Sequence, residues 1–338
     1  MNTIVRLLTL AITAHLSLLG ALNAQQAAGT PTLSGFVLQD LALPIEEMFL
    51  GGPTREGIQP VDKPEFIRAG ENDFLTGKDL VVGVVYNGIV KAYPARILNH
   101  HEIVNDKFGD TPVAITYAPL SGSAAAYKAE SNGRAQSFAA SPIVYNNNTL
   151  LFDRQTNSLW SQAMGQSVAG EASGAALQQI PAAWTTWDNW KAQYPNTLVM
   201  NRNTGHAIDY AVDPYAEYEA SRGLRYPLSK VSKAMPLKEK VVGVEVNGKF
   251  RAYPMFVLQA ENRPLIADTF NGQELLIRYD KESKTALVTN IKGEIFPSKT
   301  GYWYTWFAFY PETDVYMLND SKNQQRPSEV TITTASIQ

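Results

Sequence analysis

The sequence predicts an α+β fold: two tandem related units built mainly of antiparallel β-sheet with short helices, together with an extended N-terminal arm. Three observations lead to this class. A string of apolar residues, Asn-Gly and Ala-Tyr-Pro occurs twice, aromatic residues follow each copy at helical spacing, and no phosphate-binding βαβ loop is found. With 338 residues, 45% of them hydrophobic, the chain is long enough to bury a core of this kind.

The first residues have the pattern of a secretory signal peptide. Arg6 precedes an apolar run at 7–22, which is followed by the small residue Ala24. A run of about 16 residues is short for a bilayer, which needs about 20. We therefore expect a signal peptide at 1–24 that is cleaved near Ala24, and a periplasmic or secreted protein. No second long apolar run follows, so stable membrane insertion of the mature chain is not expected.

An arm and a repeat account for the rest of the chain. Residues 25–79 are rich in proline and glycine and are predicted to form the extended arm. Val-Val-Gly-Val, Asn-Gly and Ala-Tyr-Pro then recur in the same order, and a later block with two tryptophans follows each copy. The first copy carries an insertion of about 46 residues between these blocks. The predicted boundaries are unit 1 at 80–212, a linker at 213–239, unit 2 at 240–319 and a polar tail at 320–338.

Local patterns predict the elements within each unit. Asn-Gly between apolar runs predicts a β-hairpin, because a type I′ turn needs two residues with positive φ. A short helix is expected within 95–105, and strands at 113–117 and 124–128. Trp184 to Tyr194 has aromatic residues at helical spacing that end at a proline. We expect these aromatic residues to pack in the core; a stacking platform for a sugar or a base is the alternative.

Composition excludes several classes of function. The 29 basic and 32 acidic residues nearly balance, so the basic face of a nucleic-acid-binding protein is not expected. The chain has no cysteine, which excludes disulfides, thiolate metal ligands, iron–sulfur clusters and a cysteine nucleophile. It has four histidines, one of them in the predicted signal peptide, so a three-histidine zinc site would need all the others. We therefore assign no residues to a dedicated metal site, and the sequence does not identify a cofactor.

The differences between the two copies point to a site in unit 1. A duplicated scaffold keeps its core residues in both copies, whereas a site needs its residues in one. Unit 1 has His-His-Glu at 100–102 where unit 2 has Ala-Glu-Asn, and a small-residue turn at 118–123 where unit 2 has a charged turn. Its insertion carries polar residues without a helical period, which is typical of loops that line a pocket.

The strings that distinguish unit 1 also resemble a known family. The segments at 92–99, 101–106, 119–123 and 153–162, and Thr-Thr-Trp at 185–187, resemble those of the bacterial family called domain of unknown function 3179 (DUF3179). The likeness extends from Gly51 to Tyr316. The resemblance implies no particular chemistry, since the family's function is unknown.

This chain departs from the family pattern at several positions. Many members have cysteine where this chain has Ala118 and Ser121, so any thiol chemistry of the family is absent here. Glu56 stands where the family usually has aspartate, which keeps the carboxylate on a longer side chain. His100 stands where an aromatic residue is common.

Seven residues are candidates to line a pocket. His101 has the chemistry of a general base and Ser121 that of a nucleophile or hydrogen-bond donor, so these two are the catalytic candidates. Arg154 can hold an anion through its guanidinium fork, and Trp160 can form a wall. The predicted ligand-binding residues are Glu56, Ser123, Asp153, Arg154 and Trp160.

Structural roles remain open for the same residues. His101 fits equally a hydrogen-bonded core histidine, and Ser121 fits a turn of small residues packed closely. Asp153 and Arg154 fit an ion pair that braces two loops.

We therefore predict an exported protein that binds a small polar ligand, or less favourably a metal ion, in a pocket of unit 1. One alternative is a hydrolase that uses His101 as base near Ser121 or a bound water. The other is a structural envelope protein that has lost an ancestral thiol-dependent activity.

Overall fold

A computed structural model describes residues 30–51 and 54–318. These residues form mainly antiparallel and mixed β-sheets with a few short helices, as predicted. The predicted signal peptide at 1–24 and tail at 320–338 lie outside the described residues. Between 30 and 318, no described helix is long and apolar enough to cross a membrane.

The strands are short and numerous, and in chain order they are β1 (Thr32–Leu33), β2 (Phe36–Val37), β3 (Met48–Leu50), β4 (Phe66–Arg68), β5 (Leu80–Tyr86), β6 (Ile89–Pro94), β7 (Ile103–Phe108), β8 (Thr111–Ala118), β9 (Ser123–Lys128), β10 (Glu130–Ser131), β11 (Arg134–Ala135), β12 (Phe138–Tyr145), β13 (Asn148–Asp153), β14 (Leu159–Ser161), β15 (Gln166–Ala169), β16 (Gln179–Ile180), β17 (Ala182–Thr186), β18 (Leu198–Met200), β19 (Lys240–Val246), β20 (Lys249–Pro254), β21 (Leu265–Phe270), β22 (Gln273–Asp280), β23 (Thr285–Thr289), β24 (Ser298–Tyr302) and β25 (Asp314–Val315). The α-helices are α1 (Ala95–His101), α2 (Trp187–Gln193), α3 (Ala216–Ala220), α4 (Met255–Glu261) and α5 (Trp303–Phe309).

The Asn-Gly hairpins form where they were predicted. Asn87 and Gly88 both have positive φ, 50° and 73°, and so do Asn247 and Gly248, 49° and 74°. These values are those of a type I′ turn, which matches the twist of the flanking strands. The turns join β5 to β6 and β19 to β20 in antiparallel pairs.

The strand pairing around the two hairpins is the same. In the first half the order is β17-β5-β6-β18, with β18 parallel to β6; in the second it is β24-β19-β20-β25, with β25 parallel to β20. A meander follows each hairpin and its helix: β7-β8-β9 in the first half and β21-β22-β23 in the second.

One sheet crosses the boundary between the halves. β24 pairs with β9 through Thr300 and Ala124, so that β25-β20-β19-β24 and β9-β8-β7 form a continuous sheet. The turn between β8 and β9 lies beside β24, where the Tyr302 amide donates to the Ser121 carbonyl at 2.8 Å. Residues from both halves therefore meet along this edge.

The insertion builds a sheet of its own. β12, β13, β14 and β15 come from the insertion, and β3, from the segment before unit 1, pairs with β12 to complete a five-stranded sheet. Its apolar face packs in a separate core cluster that includes Phe36, Ile143 and Phe152.

A close glycine–tryptophan contact occurs once in each half. A β-carbon on Gly83 would overlap the Trp190 ring, and one on Gly243 would overlap the Trp306 ring. The absence of a side chain lets α2 and α5 pack directly on the hairpin strands.

The first helix is shorter than the predicted segment. α1 ends at His101 because Glu102 is left-handed, with φ 56°, and β7 begins at Ile103. Trp187 and Trp190 are buried in α2, as core packing predicted, but Trp184 lies before the helix, in β17.

Candidate functional site

A cavity of about 310 Å³ opens between α1, the β8–β9 turn, β17 and β24. Unit 1 supplies Arg96, Asn99, Tyr117 and Trp184 to its lining, and unit 2 supplies Tyr302. The segment 210–213 closes one side. The predicted pocket was assigned to unit 1 alone, whereas this cavity draws on both units and the segment that joins them.

Aromatic rings form one wall of the cavity. Tyr117 stacks on Trp184, with ring centroids 5.1 Å apart and planes 7° from parallel. Burial raises the pKa values of Tyr117 and Tyr302, so both hydroxyls remain protonated at neutral pH. Within the described residues neither hydroxyl has a hydrogen-bond partner, which leaves both able to bind a ligand.

Asn99 is a buried polar side chain of the lining with an unsatisfied atom. Only 9% of Asn99 is exposed, and among the described residues its Oδ1 atom has no hydrogen-bond partner. A buried amide oxygen without a partner costs about 1–3 kcal/mol. Such a group is typical of a site that is completed by a ligand or by water.

Arg96 lies one helical turn before Asn99. Its guanidinium binds the Asp79 carboxylate and donates to the Phe74 carbonyl at 3.3 Å. Its Nε atom is buried and has no hydrogen-bond partner in the described part of the chain. Arg96 and Asn99 thus each bring to the cavity lining one buried polar atom without a partner in the described residues, a donor on Arg96 and an acceptor on Asn99.

The charges that line the cavity balance. Three cations face three anions: Lys78, Arg96 and Lys240 against Asp79, Asp213 and Glu219. A strongly charged ligand would therefore meet as much repulsion as attraction, whereas a neutral or zwitterionic one would not.

His101 is a buried neighbour of this cavity rather than part of its surface. It is 1% exposed, its Nδ1 lies 2.7 Å from the Gln59 carbonyl, and its Nε2 lies 2.7 Å from the Tyr210 hydroxyl. A carbonyl only accepts, so we assign the Nδ1–H tautomer, in which Nε2 accepts from Tyr210. Burial lowers the pKa of His101, which favours this neutral form. His101 thereby positions Tyr210, which lines the cavity.

Glu102 is buried next to His101 without a cation partner in the described chain. Burial raises its pKa to about 7. The Tyr215 hydroxyl donates to Oε1 at 3.4 Å, while Oε2 has no hydrogen-bond partner among the described residues. Glu102 was not among the predicted site residues, although it stands in the family motif and is absent from unit 2.

Ser121 and Ser123 lie in a buried hydrogen-bond network. Ser121 donates to the Ala118 carbonyl at 3.1 Å and accepts from Asn148 at 3.0 Å. Ser123 donates to Oε1 of Gln162 at 3.0 Å, and Asn148 donates to the same oxygen at 2.9 Å. None of these four side chains contacts His101 by a hydrogen bond, so the structure does not bring His101 and Ser121 together as a hydrogen-bonded pair.

Asp153 and Trp160 are brought together in the insertion. The Trp160 indole donates to Oδ2 of Asp153 at 2.8 Å, and the Thr156 amide donates to Oδ1 at 2.6 Å. Both residues are buried, 0% and 1% exposed. These contacts close the turn between β13 and β14.

Glu56 and Arg154 meet at a second cavity, of about 420 Å³. Nε and Nη2 of Arg154 donate to the two Glu56 oxygens at 3.0 and 2.9 Å, and Nη1 donates to Asp62 at 2.9 Å. Two carboxylates neutralise the guanidinium, which leaves it poorly suited to hold an anion. No group of three or more His, Asp or Glu side chains able to hold a metal ion occurs among the described residues.

Comparison with known protein families matches residues 55–313 to the family described as a protein of unknown function, DUF3179. The chain belongs to DUF3179. The resemblance drawn from the sequence motifs is thereby confirmed. No curated protein and no solved structure matches the chain.

The DUF3179 motifs lie close to the first cavity. Arg96 and Asn99 belong to the motif at 92–99, and Gly122, in the β8–β9 turn, belongs to the motif at 119–123. All three residues line the cavity. The cavity residues missing from the predicted set include Arg96, Asn99, Tyr117, Trp184 and Tyr302. Asn99 carried a usable signal, because unit 2 has Gln259 at the corresponding position. Tyr117 carried none, because aromatic residues in strands are most often core residues. Trp184 belonged to the aromatic run for which a stacking platform was the alternative to core packing.

Proposed function

We propose that this DUF3179 protein is exported and binds a small polar ligand, neutral or zwitterionic, in the cavity beside α1. The observation that carries the proposal is the Asn99 side chain, which lines the cavity and has a buried oxygen without a partner in the described residues. The cavity volume is at the small end of the range for ligand pockets, about 300–1,000 Å³. The balanced charges support a ligand without net charge.

Export and duplication belong to the same proposal. The run at 7–22 before Ala24 supports secretion into the periplasm or the medium. The strands around the two hairpins are arranged in the same order, which supports descent from one ancestral unit. The ligand site would then have formed where the two copies meet.

A hydrolase that uses His101 and Ser121 is less well supported. Both residues are buried and bond to different groups, and neither lines the cavity. The contacts of His101 support a positioning role, through Tyr210, in a binding site.

The test is a binding screen on the full chain with a matched pair of variants. Thermal shift and calorimetry with neutral sugars, amino acids and small amides should reveal at least one compound that raises the melting temperature. Asn99→Leu should abolish the shift, because it removes both the free acceptor and the amide donors. Gln259→Leu changes the corresponding position of α4, away from the cavity, and should leave binding intact.

Two results together would overturn the proposal. One is a screen in which no compound of these classes binds; the other is native mass spectrometry of protein from its own host that finds no bound small molecule. That outcome would favour the structural envelope protein instead.

A further inference from the structure

One side of the cavity is formed by a segment whose backbone hydrogen bonds, in the described chain, all reach residues at most four positions away. In residues 204–215, which we call the cover, the described backbone–backbone hydrogen bonds remain local, as from Val212 to Asp209 at 3.2 Å. Val212 is 60% exposed, and Tyr210 to Asp213 line the cavity. A segment with few backbone bonds to its surroundings opens more easily than a strand of a sheet.

Three consecutive side chains at the end of α1 hold the cover in place. Nε2 of His100 lies 2.9 Å from the Val212 carbonyl, and Nε2 of His101 lies 2.7 Å from the Tyr210 hydroxyl. Glu102 accepts from the Tyr215 hydroxyl at 3.4 Å. The run 100–102 is the segment that unit 2 replaces with Ala-Glu-Asn, so the second helix has no equivalent set.

We propose that residues 204–215 are a movable cover over the cavity, that His100, His101 and Glu102 are its latch, and that acidification loosens it. The inference rests on the proposed function, since it concerns access to the same cavity. Opening would detach Tyr210 and Val212 from α1 and expose Asn99 and Trp184 to solvent. Closing would restore the side-chain bonds around a bound ligand and shield it from water.

The pH dependence follows from what surrounds His101. From the cover, the rings of His206 and Tyr210 lie 5.1 and 5.7 Å from that of His101. His100 in α1 and Glu102 just after it are the sequence neighbours of His101, and the Gln59 carbonyl contacts its Nδ1. His206 also lines the second cavity, whose charged residues are Glu56, Asp62, Lys63, Glu65 and Arg154. In the described chain no carboxylate lies within ion-pair distance of His101, so a proton added there has no counter-charge in the closed form.

The sign of the effect follows. Because burial lowers the pKa of His101 in the closed form, a proton binds more readily to the open form. The closed form is therefore favoured at neutral pH and is lost as the pH falls below the ordinary histidine value of about 6.5. Glu102 acts in the opposite direction, because burial raises its pKa to about 7 in the closed form, so that it binds a proton less readily once the cover exposes it. The loosening on acidification is therefore the effect of His101 less that of Glu102.

The experiment uses the absence of cysteine in the chain. Val212→Cys introduces a single thiol on the cover, which bimane labels uniquely, and Trp184 in the same cavity acts as the quencher. We expect bimane to be quenched near about pH 7 and to brighten near about pH 5. Adding Trp184→Phe should remove the quenching at both pH values, which assigns it to Trp184.

Two further variants test whether the latch itself, and not a general loosening of the fold, controls the cover. Tyr210→Phe removes only the hydroxyl that bonds His101, and should brighten bimane at neutral pH and speed amide hydrogen exchange in 204–215 about tenfold. His101→Gln keeps an acceptor but cannot take up the proton, so it should abolish the brightening at acidic pH. Tyr194→Phe, on a half-buried tyrosine outside the cover, is the matched control and should change neither signal.

The proposal fails if bimane emission and exchange in 204–215 are the same at both pH values and in Tyr210→Phe, with circular dichroism showing a folded chain. These readouts need no ligand. A static cover in a protein that binds a compound through Asn99 would overturn the cover alone. A moving cover in a protein that binds nothing would overturn the proposed function alone.

Discussion

The first helix of unit 1 and its counterpart in unit 2 lie on the same scaffold but present different surfaces. Both follow a hairpin that ends in Ala-Tyr-Pro, and in both the tyrosine hydroxyl donates to a buried aspartate: Tyr93 to Asp106 at 2.6 Å and Tyr253 to Asp268 at 2.7 Å. Where α1 has Arg96 facing the cavity, α4 has Phe256, which is 45% exposed. The shared contacts stabilise the scaffold, and the differences mark the surface available for function.

An ion pair with a buried aspartate lies beneath each hairpin, and the stability of the protein should depend more strongly on the aspartate of unit 1 than on that of unit 2. Lys91 pairs with Asp106 at 2.7 Å, and both side chains are about nine-tenths buried. Arg251 pairs with Asp268 at 2.7 Å but also with Asp314, so it keeps a carboxylate if one is removed. Asp106→Asn should therefore lower the free energy of unfolding by about 4 kcal/mol, and Asp268→Asn by about half as much.

Urea unfolding of the two variants at neutral pH measures this contrast. Equal losses in the free energy of unfolding would mean that Asp314 does not compensate for the loss of Asp268. The two ion pairs would then contribute equally to stability despite their different contacts.

Glu102 should make unit 1 sensitive to alkaline pH. Its pKa is raised to about 7 in the folded chain, against an ordinary value of about 4.5, so the protonated form is favoured by folding. Its contribution to stability is present below about pH 4.5 and is lost as the pH rises through about 7. Glu102→Gln should raise the free energy of unfolding by about 3 kcal/mol at about pH 8 and leave it nearly unchanged at about pH 4.

Denaturant unfolding across this pH range checks the sign as well as the size. The same gain at both pH values would show that the carboxyl is not the titrating group. Asn262, which occupies the corresponding left-handed position of unit 2, gives that half no such carboxyl.

Replacing Asn99 should stabilise the ligand-free protein at the cost of ligand binding. Its buried oxygen has no partner in the described residues, so Asn99→Leu should raise the free energy of unfolding of the ligand-free protein by about 1 kcal/mol. Gln259→Leu, on an exposed side chain, should change it little. Thermal unfolding without ligand measures both, and a loss of stability in Asn99→Leu would indicate that the amide already has a partner, such as an ordered water.

Much of the fold could be predicted from the sequence because its signals are local. Asn87-Gly88 and Asn247-Gly248 specify their turns by backbone preference alone, and Pro94 and Pro254 mark where the hairpins pass into helices. Trp184 shows where this reasoning fails. Its spacing to Trp187 continues a helical pattern, but pairing with Val82 draws it into β17.

The candidate site was harder to predict because distant segments form it. Arg154 was predicted as an anion-binding residue, and only the folded chain shows that Glu56, 98 positions away, occupies its fork. Tyr302 lines the cavity because β24 joins β9 across the two units, a pairing that no local pattern indicates.

The sequence by itself determined the family, the strand-rich class and the paired hairpins, because backbone preferences and apolar spacing act over a few neighbouring residues. Tertiary structure decided which polar groups meet. His101 became a buried support for Tyr210, Ser121 joined a buried network, and the Asn99 oxygen was left beside a cavity without a partner in the described residues. Whether a buried polar group is satisfied depends on residues brought close by sheet register and packing, and those distances are set only when the whole chain has folded.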